Sequence, residues 1–273
     1  MMFLGLAILA LLVGSFLNVV IYRLPKILEY ESRLDCAILL NQAEPEPFKM
    51  NLWAPRSFCP ACKHQISALS NIPLLSYLIQ KGQCKHCHAM IPMQYPMVEL
   101  FTMLISLFAA CHFKFTLTLV FALGFIWILI PLFVIDLKHR LLPDSLTLSL
   151  LWLGLLANTQ ALFTTLPEAV YGAVIGYIIL WSLIQIFYYF TGKVGMGHGD
   201  LKLFAALGAW FGLLQLPLIL LIASIAGVIG GLCYLSITHQ SRNTPIPFGP
   251  FLTATGLLAM FYGNDIVSWY MRI

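Results

Sequence analysis

Apolar residues run almost unbroken from Met2 to Tyr22, stop at Arg23, and resume in strength only near residue 97. They then recur at about 97–113, 115–135, 145–163, 168–190, 201–214, 215–237 and 248–270. About 20 mostly apolar residues in a helix cross a bilayer's hydrocarbon core. The pattern therefore predicts an all-α polytopic membrane protein of about eight transmembrane segments, with the 201–214 segment short. The polar interval between the first two segments predicts a small loop domain. The organisation expected is a first transmembrane helix (1–22), a four-cysteine domain (23–96) and a membrane-embedded core (97–273). The last boundary falls in "MQYPMVEL", residues 93 to 100, where Pro96 precedes a helix.

Composition agrees with this reading. Hydrophobic residues make up 60% of the chain and charged ones 10%, with mean hydropathy +0.88, against about 45–50% and about 25% in soluble domains. The first segment is expected to be a retained helix rather than a cleavable signal, since no basic residue precedes its apolar part and Arg23 and Lys26 follow it. The net charge of +4 does not single out nucleic acid as a partner. Its distribution is more telling. With the segments alternating, 23–96, 136–144, 191–200 and 238–247 with their edges share one side. They hold all but two of the fifteen Lys and Arg, including Lys49, Lys138, Arg140, Lys193, Lys202 and Arg242; Lys114 and Arg272 lie opposite. The positive-inside rule makes the basic side cytoplasmic and leaves the N-terminus outside.

That orientation bears on the cysteines. "CPAC" (Cys59, Cys62) and "CKHC" (Cys84, Cys87) are paired C-x-x-C knuckles, the spacing with which two turns offer four thiolates to one tetrahedral ion. Two disulfides or a redox pair are the alternatives, and a cytoplasmic location weighs against disulfides. His64, His86 or His88 could replace one thiolate. Four thiolates leave no vacant position, so such a metal is structural.

Three aspartates sit at the cytoplasmic ends of apolar segments: Asp136 and Asp144 in "FVIDLKHRLLPDSL" and Asp200 in "GMGHGDLKLFAALGAW". Asp144 after Pro143 has the position of a helix N-cap, and Asp200 could cap a helix starting at Leu201. Asp136 ends a helix, where the macrodipole disfavours an anion, so it is a functional candidate. Two carboxyl groups sharing one site do not both ionise readily, which suits them to acid–base cleavage of a peptide. Gly197 and Gly199 permit close backbone approach and positive φ beside Asp200. Sequence separation alone does not bring Asp136 and Asp200 together.

Longer stretches carry a resemblance. "GSFLNVVIYRLP" (14–25), "PRSFCPACKHQI" (55–66), "NIPLLSYL" (71–78), "CKHCHAMIPMQYPMVEL" (84–100), "IDLKHRLLPDSLTLSLLWLGLL" (135–156), "GMGHGDLKLFAALGAW" (195–210) and "TPIPFGPFL" (244–252) resemble the type IV prepilin peptidases, the bifunctional leader peptidase/N-methyltransferases of Gram-negative bacteria. The resemblance implies a GxGD-type intramembrane aspartyl protease of the inner membrane with Asp136 and Asp200 catalytic and Asp144 a structural neighbour. It implies that the four-cysteine loop binds zinc and accompanies a methylase activity. The substrates implied are prepilins and pseudopilins, cut after a glycine between a basic leader and an apolar helix. The new N-terminal residue, usually Phe, is then methylated with S-adenosylmethionine. His198 stands where the family more often has an aromatic or polar residue.

The residues say less about methylation. No Gly-rich nucleotide loop follows a strand. Glu99 could orient the substrate's amino group, or serve only as an acid at a helix start. Lys202, beside Asp200, could contact substrate, lower that carboxyl's pKa, or snorkel to the interface. A secondary transporter with a Gly-broken helix, and a scaffold docking partners through its zinc loop, are the rival readings. Membrane lipid is the one other partner expected.

Overall fold

The computed structural model describes residues 1–48, 50–67, 71–193, 195–238 and 246–270. Lys49, Arg242 and Arg272 of the charge asymmetry, and Thr244 and Pro245 of "TPIPFGPFL", lie outside the described residues. Among the described residues the chain forms nine helices and no β-strand: α1 (Met2–Leu39), α2 (Leu75–Ile79), α3 (Gln94–Phe113), α4 (Leu117–His139), α5 (Asp144–Asn158), α6 (Leu166–Thr191), α7 (His198–Phe211), α8 (Leu216–Thr238) and α9 (Gly249–Tyr270). All but α2 coincide with the eight apolar stretches. By length and composition α1, α3, α4, α6 and α8 can cross a membrane. At 1.5 Å per residue α5 and α7 reach only about 21–23 Å, short of a hydrocarbon core of about 30 Å.

Two compact units divide the chain, residues 1–111 and 112–273. In the first, α1 does not stop where its apolar run ends. It continues through Pro25 to Leu39, and its polar second half carries an exposed Glu29–Arg33 ion pair of 2.6 Å. Arg23, counted from sequence among the basic residues of the loops and their edges, is buried. Its guanidinium donates to the carbonyls of Asn51 at 2.8 Å and Pro55 at 2.7 Å, tying the loop to α1. The helix α3 starts ahead of Pro96, whose missing N–H costs nothing in a first turn. Gly14 lets α1 approach α3, since a Cβ there would lie 2.8 Å from the Cα of Glu99.

The second unit is built around α7, where Lys202 alone among residues 200–211 is not buried. A helix apolar on every side needs neighbours on every side, and α5, α6, α8 and α9 supply them. Against α6 the fit is backbone to backbone: a Cβ on Gly172 would meet the Gly208 carbonyl. Against α5, the Trp210 indole fills the space left by Gly154 and donates to the Leu150 carbonyl at 2.8 Å. Asn158 at the end of α5 donates to the Ala209 carbonyl at 2.8 Å and accepts from the N–H groups of Phe163 and Thr164. These bonds satisfy carbonyls that the end of α7 leaves free, and they fix its register.

Candidate active site

Asp136 stands in the last turn of α4, and its backbone carbonyl accepts from Arg140, whose αL conformation (φ 53°, ψ 42°) ends the helix. An anion there opposes the dipole of α4, and the compensation comes from another helix. The carboxylate faces the backbone N–H of Gly249, the first residue of α9, so the positive end of α9 is turned toward it. Gly249 has no room for a side chain: a Cβ would lie 2.5 Å from Asp136 Oδ2 and 3.1 Å from Leu142 Cδ1.

Asp200 lies in the first turn of α7, which starts at His198 rather than Leu201. Asp200 is thus not the N-cap expected from sequence. Gly197 is, and Asp200, three residues on, reaches back to the Gly197 N–H as the acid of a capping box does. Its Oδ1 is buried without a hydrogen-bond partner. Asp136 and Asp200 are both buried, 5% and 8% exposed, and close enough that the charge of Asp136 acts on Asp200. The structure thus brings the two carboxyl groups to one site from α4 and α7, with the start of α9 beside them.

Three sequence expectations change around this pair. Positive φ is not what the glycines supply: Gly197 has φ −76°, and among the described glycines only 82, 192 and 212 are left-handed. Gly199 is needed for space, since a Cβ there would lie 2.7 Å from Leu142 Cβ. Asp144 is not an N-cap either. Pro143 holds that position, and Asp144 opens α5 as an exposed residue. Lys202 engages Asp144 at 2.6 Å, which joins the first turns of α5 and α7. Sequence reasoning missed Gly249 and Leu142. The signal for Gly249 lay in "PFGPFL", a glycine between residues that break regular structure just before the last apolar run.

In the first unit the knuckles are near copies. Phe58 bridges Gln65 and Gln83 bridges Met90. Cys59 N–H donates to His64 and Cys84 N–H to Ala89, both at 2.9 Å, and the residue after each second cysteine is left-handed (Lys63 φ 59°, His88 φ 56°). All four sulfurs lie within 4.8 Å of one another, with Cys59 Sγ 3.8 Å from Cys87 Sγ. Tetrahedral coordination at a metal–sulfur distance of about 2.3 Å requires sulfurs about 3.8 Å apart, so the set fits a closed four-thiolate site. No histidine nitrogen joins it among the described residues; His64 and His86 face each other instead, 3.4 Å between ring centroids. The N–H groups of Cys87 and His86 lower the Cys84 thiol to about 6, favouring the thiolate a metal needs. Glu99, in the first turns of α3, is buried and accepts from the Leu74 N–H at 2.9 Å and the Ser15 hydroxyl.

Residues 8–113 match the family model of the bacterial peptidase A24 N-terminal domain, and residues 123–232 that of the type IV leader peptidase family. A prepilin leader peptidase/N-methyltransferase of Legionella pneumophila is 54% identical over 99% of this chain and 94% of its own. Proteins of that description from Pseudomonas aeruginosa and Pectobacterium carotovorum are 47% and 45% identical, over 97% and 94% of this chain and 92% and 91% of theirs. No solved structure matches.

Proposed function

The chain belongs to the type IV leader peptidase family, and from that premise we propose that Asp136 and Asp200 are its catalytic carboxyl pair. The protein is an enzyme that cleaves prepilins and N-methylates the product. The observation that supports the assignment is the meeting of two buried carboxyl groups, one without a partner for Oδ1, at the ends of separate helices. Only one of two such groups ionises readily. The ionised one accepts a proton from a water whose oxygen attacks the scissile carbonyl carbon, while the protonated one donates to the carbonyl oxygen. Breaking the C–N bond then requires a proton on the departing nitrogen, which the pair returns. Gly197, Gly199, Gly249 and the Asp144–Lys202 pair hold the site's shape, so these residues are positioning residues.

The substrates are prepilins or pseudopilins whose basic leader meets an apolar helix at the cytoplasmic face of the inner membrane. The knuckles and both aspartates lie on that side and the N-terminus on the periplasmic side, as the basic loops indicate. Cys59, Cys62, Cys84 and Cys87 hold structural zinc, which ties the knuckles together. S-adenosylmethionine supplies an activated methyl group when bound. A transporter or a docking scaffold would leave the convergence of Asp136 and Asp200 without a purpose. The test is leader removal from a prepilin by reconstituted Asp136→Asn and Asp200→Asn, followed by mobility shift. Each variant inserts and folds but does not cleave; cleavage by either at more than a hundredth of the wild-type rate removes that residue from the assignment.

A further inference from the structure

A second buried polar cluster lies in the first unit, outside the carboxyl pair. Glu99 is 8% exposed and Asn18 2%. Glu99 Oε2 accepts from the Leu74 N–H, and the Ser15 hydroxyl bonds the same carboxylate. No cation balances it: the two ion pairs among the described residues, Glu29–Arg33 and Asp144–Lys202, leave it out. Asn18 stands three residues after Ser15 on α1. Its amide nitrogen donates to the carbonyls of Tyr95 at 3.0 Å and Gly14 at 3.3 Å, and its Oδ1 is buried with no partner. The close approach at Gly14 sets these groups on one α1–α3 seam.

A buried carboxylate with two neutral donors and no counter-charge, on the same seam as an amide oxygen with no donor, lacks a cationic donor. An ionisable group in a membrane helix marks a functional site by default. We propose that Glu99 and Asn18 bind the primary ammonium of the cleaved substrate's new N-terminus. This rests on the reading that the enzyme methylates that amine. Two of the three N–H bonds of an ammonium find acceptors here, the Glu99 carboxylate and Asn18 Oδ1, which leaves the third proton to spare. An ammonium must lose a proton before its nitrogen can take a methyl group, and the Glu99 carboxylate is the acceptor at that atom.

The test uses the full-length protein in nanodiscs without methyl donor, and two synthetic peptides: the mature N-terminal segment of a pilin with a free α-amine, and the same segment N-acetylated. Wild type binds the free amine at least tenfold more tightly. Glu99→Gln and Asn18→Leu each reduce that preference below threefold, Glu99→Asp recovers part of it, and the methylated fraction of cleaved pilin falls in parallel. Retention of the tenfold preference in Glu99→Gln overturns the proposal. So does its loss together with the zinc, which would make Glu99 a support for the Leu74 loop. Leader cleavage, scored separately with the Asp136 and Asp200 variants, decides the fate of the carboxyl pair independently.

Discussion

Replacing Gly249 by Ala adds one methyl group at the mouth of the carboxyl pair. The backbone at Gly249 is not left-handed, so Ala meets no conformational penalty and the effect comes from contact alone. Its Cβ would lie 2.5 Å from Asp136 Oδ2, where ordinary contact begins at 3.4 Å. The carboxylate must retreat by the difference, about 0.9 Å. A displacement of about 1 Å in a catalytic group costs on the order of 100-fold in rate. The folded state loses less, because the atoms in the way are ends of side chains that can turn aside; overpacking of this kind costs about 1–3 kcal/mol. The expectation is therefore a well-folded protein with leader cleavage reduced about 100-fold. Gly197→Ala is the matched control, because Gly197 positions Asp200 through a backbone N–H that alanine keeps. Its Cβ would sit 3.7 Å from Asp200 Oδ2, in ordinary contact, and Ala at an N-cap costs about 1 kcal/mol or less of helix stability. Cleavage by that variant stays within about threefold of wild type. Equal activity of Gly249→Ala and wild type would refute the argument, since it would mean that the Asp136 carboxylate does not work from the position seen here.

Single Cys→Ser changes at 59, 62, 84 or 87 release bound zinc, measured by elemental analysis, and reduce methylation more than cleavage. In metal-stripped protein Cys84 is the first of the four thiols to be alkylated at pH 7, by mass spectrometry. The sign follows from its lowered value of about 6: the thiolate is present above that pH, and the rate falls as pH drops through it. Lys202→Ala changes stability by less than about 1 kcal/mol, because the pair with Asp144 is substantially exposed. It nonetheless slows cleavage, and exchanging the two residues restores part of the rate. Gly208→Ala drives a methyl group into the backbone of α6 at Gly172 and lowers stability in detergent by about 1–3 kcal/mol.

The helices were legible because apolar content in a membrane protein tracks them directly: all eight stretches became helices, with ends shifted by a few residues except in α1, which runs on from Tyr22 to Leu39. The knuckles were legible because spacing and sulfur chemistry together leave few arrangements. Less legible was whatever depends on a partner distant in the chain. Asp144 and Asp200 look like caps when read locally, and only the packing of α5 against α7 turns Asp144 toward Lys202. Gly197 and Gly199 suggest unusual dihedral angles, but Gly199 answers to Leu142, 57 residues earlier in the chain. Gly249 gave no chemical signal of its own, because it contributes only a backbone N–H and the absence of a methyl group. Arg23 counted only as one basic residue of the cytoplasmic side, yet the carbonyls it binds belong to a loop whose path no local rule predicts.

The brevity of α7 has a consequence for how the chain is assembled in the bilayer. Fourteen residues headed by an aspartate and a lysine are too few to be released stably into lipid as an independent unit during synthesis. The segment needs α5 and α6 already present to receive it, through Asn158 and through the bare backbone at Gly172. Its placement is a late tertiary step rather than an early partitioning step. Faults in those two neighbours would leave the upstream helices inserted and Asp200 stranded, so the chain would reach the membrane without acquiring a working centre.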